Sequence, residues 1–172
     1  TLIRDRILPV FIRSKFNMYQ GKIALGDLRK AVINFMTPPT IDGGNFSKFY
    51  FNLLNQIIPN LENYSGIPLY SFETVPVFFA SNEVNGFTGL NATDRGILST
   101  LSTNSSPLAI GQLLSHEFAH YQNSAQSMLE DKWLQEGMSE WITEKILTQS
   151  FAKKDVYRYL RTLRYDQYFA SN

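Results

Sequence analysis

Ser115-His116-Glu117-Phe118-Ala119-His120 and, after a short gap, Trp133-Leu134-Gln135-Glu136-Gly137-Met138-Ser139-Glu140-Trp141 are the stretches from which the rest of the chain is best read. His116 and His120 are the only two histidines, and they stand four residues apart. Four residues bring helical side chains onto one face, with Cβ atoms about 5–6 Å apart, so two imidazoles can converge on a single ion. Ile110, Leu114, Phe118 and Tyr121 form an apolar stripe roughly opposite the two imidazoles, so the helix can bury one side and present the histidines to a cleft. Glu117 is angularly next to His116, where its carboxylate can reach a metal-bound water without ligating the metal.

A catalytic zinc needs three protein ligands and one open position. There is no third histidine and no cysteine, so the missing ligand must be a carboxylate. Glu130, Asp131, Glu136, Glu140 and Glu144 lie downstream. Trp133 to Trp141 reads as a helix start whose Gly137 removes bulk beside Glu136. That predicts a close approach of two helices, with Glu136 reaching across as the ligand. Glu140 lies one turn further on the same face, placed to accept the free ring N–H of a ligating histidine and fix its tautomer.

Working outward, 172 residues with 44% apolar and 18% charged content match one packed domain, 1–172. Within it, 1–40 is a lead-in, 41–106 a helix and sheet, 107–150 the helices bearing the candidate ligands, and 151–172 a C-terminal helix. A formal charge of +1 gives no electrostatic case for nucleic acid or acidic membrane as a partner. The absence of cysteine excludes disulfides, thiol nucleophiles and iron–sulfur clusters. No apolar stretch is long enough to span a membrane. Thr1-Leu2-Ile3-Arg4-Asp5-Arg6 lacks both an initiator Met and the pattern of a signal peptide, so the chain is expected to be part of a longer precursor.

Thr1 to about Thr37 is the hardest part to read, and the Pro and Gly cluster from Thr37 to Gly44 is the best internal boundary. Apolar residues at helical spacing predict a helix over Phe46 to Tyr64, bent at Pro59 and ended by Gly66 and Pro68. Val75 to Ala80, Asn85 to Asn91 and Ile97 to Ser102 read as three short strands of a small, mainly antiparallel sheet. Ser106 before Pro107 predicts a capped helix running to about Asn123. Another follows from Trp133 to about Ser150, with Leu134, Met138, Trp141, Ile142 and Ile146 inward. The last runs from Lys153 to about Gln167, with Val156, Leu160 and Leu163 inward. Lys154, Arg158 and Arg161 line one of its faces, a stripe that reads as solvated surface or a carboxylate anchor.

With these motifs in place, the chain resembles the gluzincins, zinc peptidases in which H-E-x-x-H is followed by a glutamate on a second helix. The W-L-x-E-G-x-x-E form of Trp133 to Glu140 is similar to the segment that carries their third ligand. The short spacing resembles the hyicolysin-type and peptidase MA-like secreted bacterial families more than thermolysin. The close likeness covers Ser115 to Trp141; a looser one reaches back to about Val32. The resemblance implies an α+β, zincin-like catalytic domain with a small sheet packed on the H-E-x-x-H helix and a helical C-terminal part. It implies Zn2+ as cofactor, held by His116, His120 and Glu136, with Glu117 as the base and a peptide or protein as substrate. It also implies a secreted or cell-envelope location, and a strand like Asn85-Gly86-Phe87 that binds substrate backbone by strand addition. No histidine follows His120, so the oxyanion donor such enzymes carry falls to Tyr157, Tyr159, Tyr165 or Tyr168, with Tyr157 preferred. The expected activity is endopeptidase; a zinc aminopeptidase and a catalytically silent binding domain on the same scaffold are the alternatives. Metzincins are disfavoured because Asn123 and Gln126 stand where their Gly and third His would be.

Overall fold

The computed structural model describes residues 15–25, 30–39, 43–66, 75–79, 89–92, 96–99, 105–124 and 131–170. The fold is α+β. Strands β1 (Asn17–Ala24) and β2 (Lys30–Thr37) precede helix α1 (Gly43–Ser65). Strands β3 (Val75–Phe79), β4 (Gly89–Ala92) and β5 (Gly96–Ser99) come next, followed by helices α2 (Pro107–Ser124), α3 (Lys132–Ser150) and α4 (Lys153–Ala170).

The five strands form one sheet in the order β1-β2-β3-β5-β4. Its outer ladders, β1 with β2 and β4 with β5, are antiparallel, while β2 with β3 and β3 with β5 are parallel. The expectation of a small, mainly antiparallel sheet of three strands is corrected in two ways. The segment before Thr37 contributes a whole antiparallel pair, and β5 lies between β3 and β4, so the centre of the sheet is parallel. A parallel neighbour needs a long crossover, and α1 supplies it between β2 and β3. Strand Asn85 to Asn91 falls partly outside the described residues, which place β4 at Gly89–Ala92, on the sheet edge.

β2 shows the period of two expected of a strand with one packed face: Ala31, Ile33, Phe35 and Thr37 are buried and the residues between them are only partly so. On the opposite face the cross-strand pair Gln20 and Asn34 is joined by a hydrogen bond of 3.0 Å from Gln20 Nε2 to Asn34 Oδ1. Helix α1 lies on the buried face through Tyr50, Leu53, Leu54, Ile57, Ile58 and Leu61. Phe35 meets Tyr50 with ring centroids 4.7 Å apart. Gly21 on β1 lets the Phe51 ring come so close that a Cβ there would run into it. The helix continues past Pro59 and stops at Gly66, whose φ of 69° is the left-handed conformation that favours glycine, with its N–H on the Glu62 carbonyl.

α2 begins as the sequence predicts: Ser106 Oγ accepts the Ala109 N–H at 3.1 Å, with Pro107 at the first helical position. Ile110, Leu114, Phe118 and Ala119 enter the main core with Ile142 and Ile146 of α3. Two inferences about α3 need correction. The close approach of α2 and α3 is at Gly111, where a Cβ would stand 3.2 Å from Leu147 and Phe151, and nothing lies within 4 Å of a Cβ on Gly137. Trp141 is 51% exposed rather than inward, edge-on to Tyr64 with Lys145 over its ring. The indole is held at the surface by an aromatic and a cation, and the smaller Ile142 and Ile146 fill the interior. α4 closes back on α3 through Leu147, Val156 and Leu160. Among the described residues, no helix is long and apolar enough to cross a membrane.

Candidate metal centre

α2 is buried around most of its circumference, and His116 and His120 sit where it is open. Their Nε2 atoms are 3.0 Å apart. Glu136 of α3 brings Oε2 to 3.3 Å from His116 Nε2 and 3.2 Å from His120 Nε2. The expected trio is therefore brought together, and these are the residues able to hold a metal ion among those described. Donor atoms about 2.1 Å from one ion lie about 3.0 Å apart at right-angle geometry and about 3.4 Å apart at tetrahedral geometry. The observed triangle falls within that range. Three electron-rich atoms facing one point repel one another unless a cation or proton lies among them, so the donor set fits a divalent ion. The Glu136 side chain is 47% exposed, which leaves the point they share open to solvent on one side.

Both imidazoles turn Nε2 to the shared point, so each Nδ1 faces away. His116 Nδ1 lies 3.0 Å from Glu140 Oε1, so Glu140 stands beside a ring nitrogen of the kind it was expected to engage. This Nδ1 is buried and its approach to Glu140 is an ion-pair contact, short of a well-directed hydrogen bond. His120 Nδ1 is 3.3 Å from Ser139 Oγ. Ser139 had no signal among carboxylates and imidazoles; the one available was its position on the Glu136 side of α3, one turn before Ile142 and Thr143 of the buried face.

Burial disfavours a charged His116, but contact with Glu140, the Glu140 charge and the charges of Glu117 and Glu136 together carry its pKa above the ordinary 6.5. Burial and the neighbouring His116 lower the pKa of His120, against the pull of Glu136. Glu140 is held below the usual carboxylate range by His116, against its own burial, with help from the Arg164 charge. Arg164 of α4 is itself paired with Glu144 at 3.1 Å.

These shifts set a pH dependence. A metal takes only the unprotonated Nε2, so protons on His116 begin to compete above pH 6.5 and those on His120 only below it. Metal affinity measured against a chelator is expected to fall with slope one as pH drops through the His116 value, then with slope two through that of His120. The metal-free chain carries the opposite sign. The raised His116 pKa contributes stability that is full below 6.5 and is lost as pH rises through its folded value.

Glu117 is buried, and its charge is felt by His116. Of the tyrosines on α4, Tyr157 and Tyr165 are exposed. Tyr159 is half-buried; burial and the nearby Glu140 charge push its pKa up. The Tyr168 side chain and Asn85-Gly86-Phe87 lie outside the described residues. No known family model matches the chain, and no curated protein matches it either.

Proposed function

We propose that the chain is a zinc-dependent peptidase that hydrolyses peptide bonds in protein substrates. The observation that carries the reading is the convergence of His116 Nε2, His120 Nε2 and Glu136 Oε2, each 3.0–3.3 Å from the others, with Glu117 next to His116 on the same helix. Two imidazoles and one carboxylate are the donor set of catalytic zinc in hydrolases, and they leave a coordination position for water. The order of elements supports the same reading. A helix, a strand, an edge strand, a strand and then the H-E-x-x-H helix are α1, β3, β4, β5 and α2, with β4 on the edge of the sheet.

Zinc bound there would acidify water and polarise a carbonyl. Glu117 takes the proton of the attacking water and passes it to the leaving amine. Glu140 and Ser139 hold the two imidazoles in the orientation that points Nε2 at the ion. Tyr159, half-buried on α4 and near Glu140, suits the role of oxyanion donor better than the exposed Tyr157. Among the described residues β4 is an edge of the sheet, and an extended substrate can add beside it as a further strand.

The test is cleavage of an unstructured protein such as casein by zinc-loaded chain. Hydrolysis is expected to be lost on chelation and regained on adding zinc. Casein left intact by chain with a full complement of zinc would overturn the peptidase reading.

A further inference from the structure

Two other hydroxyl-bearing residues on the helices, the part-buried Thr148 and the exposed Thr162, behave in the ordinary way, and Ser139 does not. Thr148 and Thr162 give their hydroxyls to carbonyls of the preceding turn, at 2.9 Å to Glu144 and 3.1 Å to Arg158. Ser139 is fully buried, and its Oγ instead reaches across from α3 to α2, 3.3 Å from His120 Nδ1. The two histidines are thus backed unequally, His116 by the carboxylate of Glu140 and His120 by a neutral hydroxyl.

We infer that Ser139 is a positioning residue for the metal centre: its Oγ accepts the His120 Nδ1–H and so keeps Nε2 as the lone-pair nitrogen facing the ion. The inference rests on the metal site proposed above. With a single proton on the ring, a hydrogen bond at Nδ1 leaves Nε2 bare, and it also fixes the rotation of the ring about its Cβ–Cγ bond. The choice of a hydroxyl has an electrostatic reason. Glu136 and Glu140 already lie against the imidazoles, and Glu117 follows His116 on the same helix, so three carboxylates are gathered there. A fourth anion at the fully buried position 139 would have to be desolvated beside them. A serine supplies the acceptor without the charge. The consequence is a graded pair, with a strongly supported His116 and a more weakly supported His120.

Ser139→Ala removes the acceptor with almost no change in volume, so the fold is expected to persist. Zinc affinity, measured by chelator competition at a pH above both imidazole values, is expected to fall about tenfold, the lower end of what such partners contribute. In the zinc-loaded protein, proton NMR of the imidazole N–H groups supplies a reading independent of activity. The His120 Nδ1–H should exchange with water faster in Ser139→Ala than in the parent, and the His116 Nδ1–H should not change. Equal zinc affinity of parent and variant, with equal exchange at His120, overturns the inference while leaving the metal site standing. A loss of affinity in which both N–H groups are disturbed alike overturns it too, because that is the mark of a general loosening of α3. A parent chain that takes up no zinc overturns the metal site and this inference with it.

Discussion

Glu117→Gln is expected to keep its zinc and lose peptide hydrolysis by about 10²–10⁴-fold, the range that a positioned general base contributes. The two halves of that outcome come from different atoms. His116, His120 and Glu136 supply the three atoms that converge, and Glu117 is not among them, so the ligand set is untouched. Glutamine is close to glutamate in volume, so the buried position 117 is still filled. It cannot accept a proton, and the two other carboxylates described against the histidines are engaged: Glu136 belongs to the ligand set, and Glu140 lies on His116 Nδ1. Removing the Glu117 charge also removes one of the influences that raise the pKa of His116, so zinc in the variant should hold on to a slightly lower pH. Casein hydrolysis and zinc content measured on the same preparation check both halves. A variant that cleaves as well as the parent would show that the base is elsewhere.

Phe118→Ala has the largest expected effect on stability. Phe118 stands between the two histidine ligands in sequence but turns the other way, 1% exposed, into the core shared with Ile110, Leu114, Ile142 and Ile146. Replacing a fully buried phenylalanine by alanine costs about 3–5 kcal/mol, from lost burial and from the cavity left behind. For a domain of this size that lowers the melting temperature by roughly 6–20 °C, at about 2–4 °C per kcal/mol. Zinc opposes the loss, because an ion that binds only the folded chain adds about 4 kcal/mol at a free concentration a thousand times its Kd. Thermal unfolding of the variant with and without zinc is therefore expected to show a metal-free protein close to unfolding and a loaded one substantially restored. Equal melting temperatures in the two conditions would mean that folding does not build the site.

The distinction between Phe118 and its histidine neighbours was open to sequence reasoning, because helical spacing separates the two faces of α2. So was the convergence of His116, His120 and Glu136: with two histidines and no cysteine, a carboxylate had to complete the trio. The reason offered for Glu136 was nonetheless misplaced, since Gly111 and not Gly137 is where the helices come close. A glycine in a helix looks the same in sequence whether it faces a neighbouring helix or solvent. The β1–β2 pair was hidden for a related reason. β1 is a half-exposed strand with mixed polarity, and its pairing with β2 is a backbone matter that leaves little trace in side-chain pattern. Parallel pairing of β3 with β2 and β5 is likewise a long-range contact that no local spacing encodes. Ser139 escaped because hydroxyls are common and its importance comes only from facing His120 across two helices.

An anomalous difference map at the zinc edge, from crystals of chain purified without chelator, tests the central claim most directly. One full-occupancy peak is expected about 2.0–2.2 Å from His116 Nε2, His120 Nε2 and a Glu136 carboxylate oxygen. No peak between the histidines, or a peak ligated by Glu140 or Glu144 in place of Glu136, would contradict it.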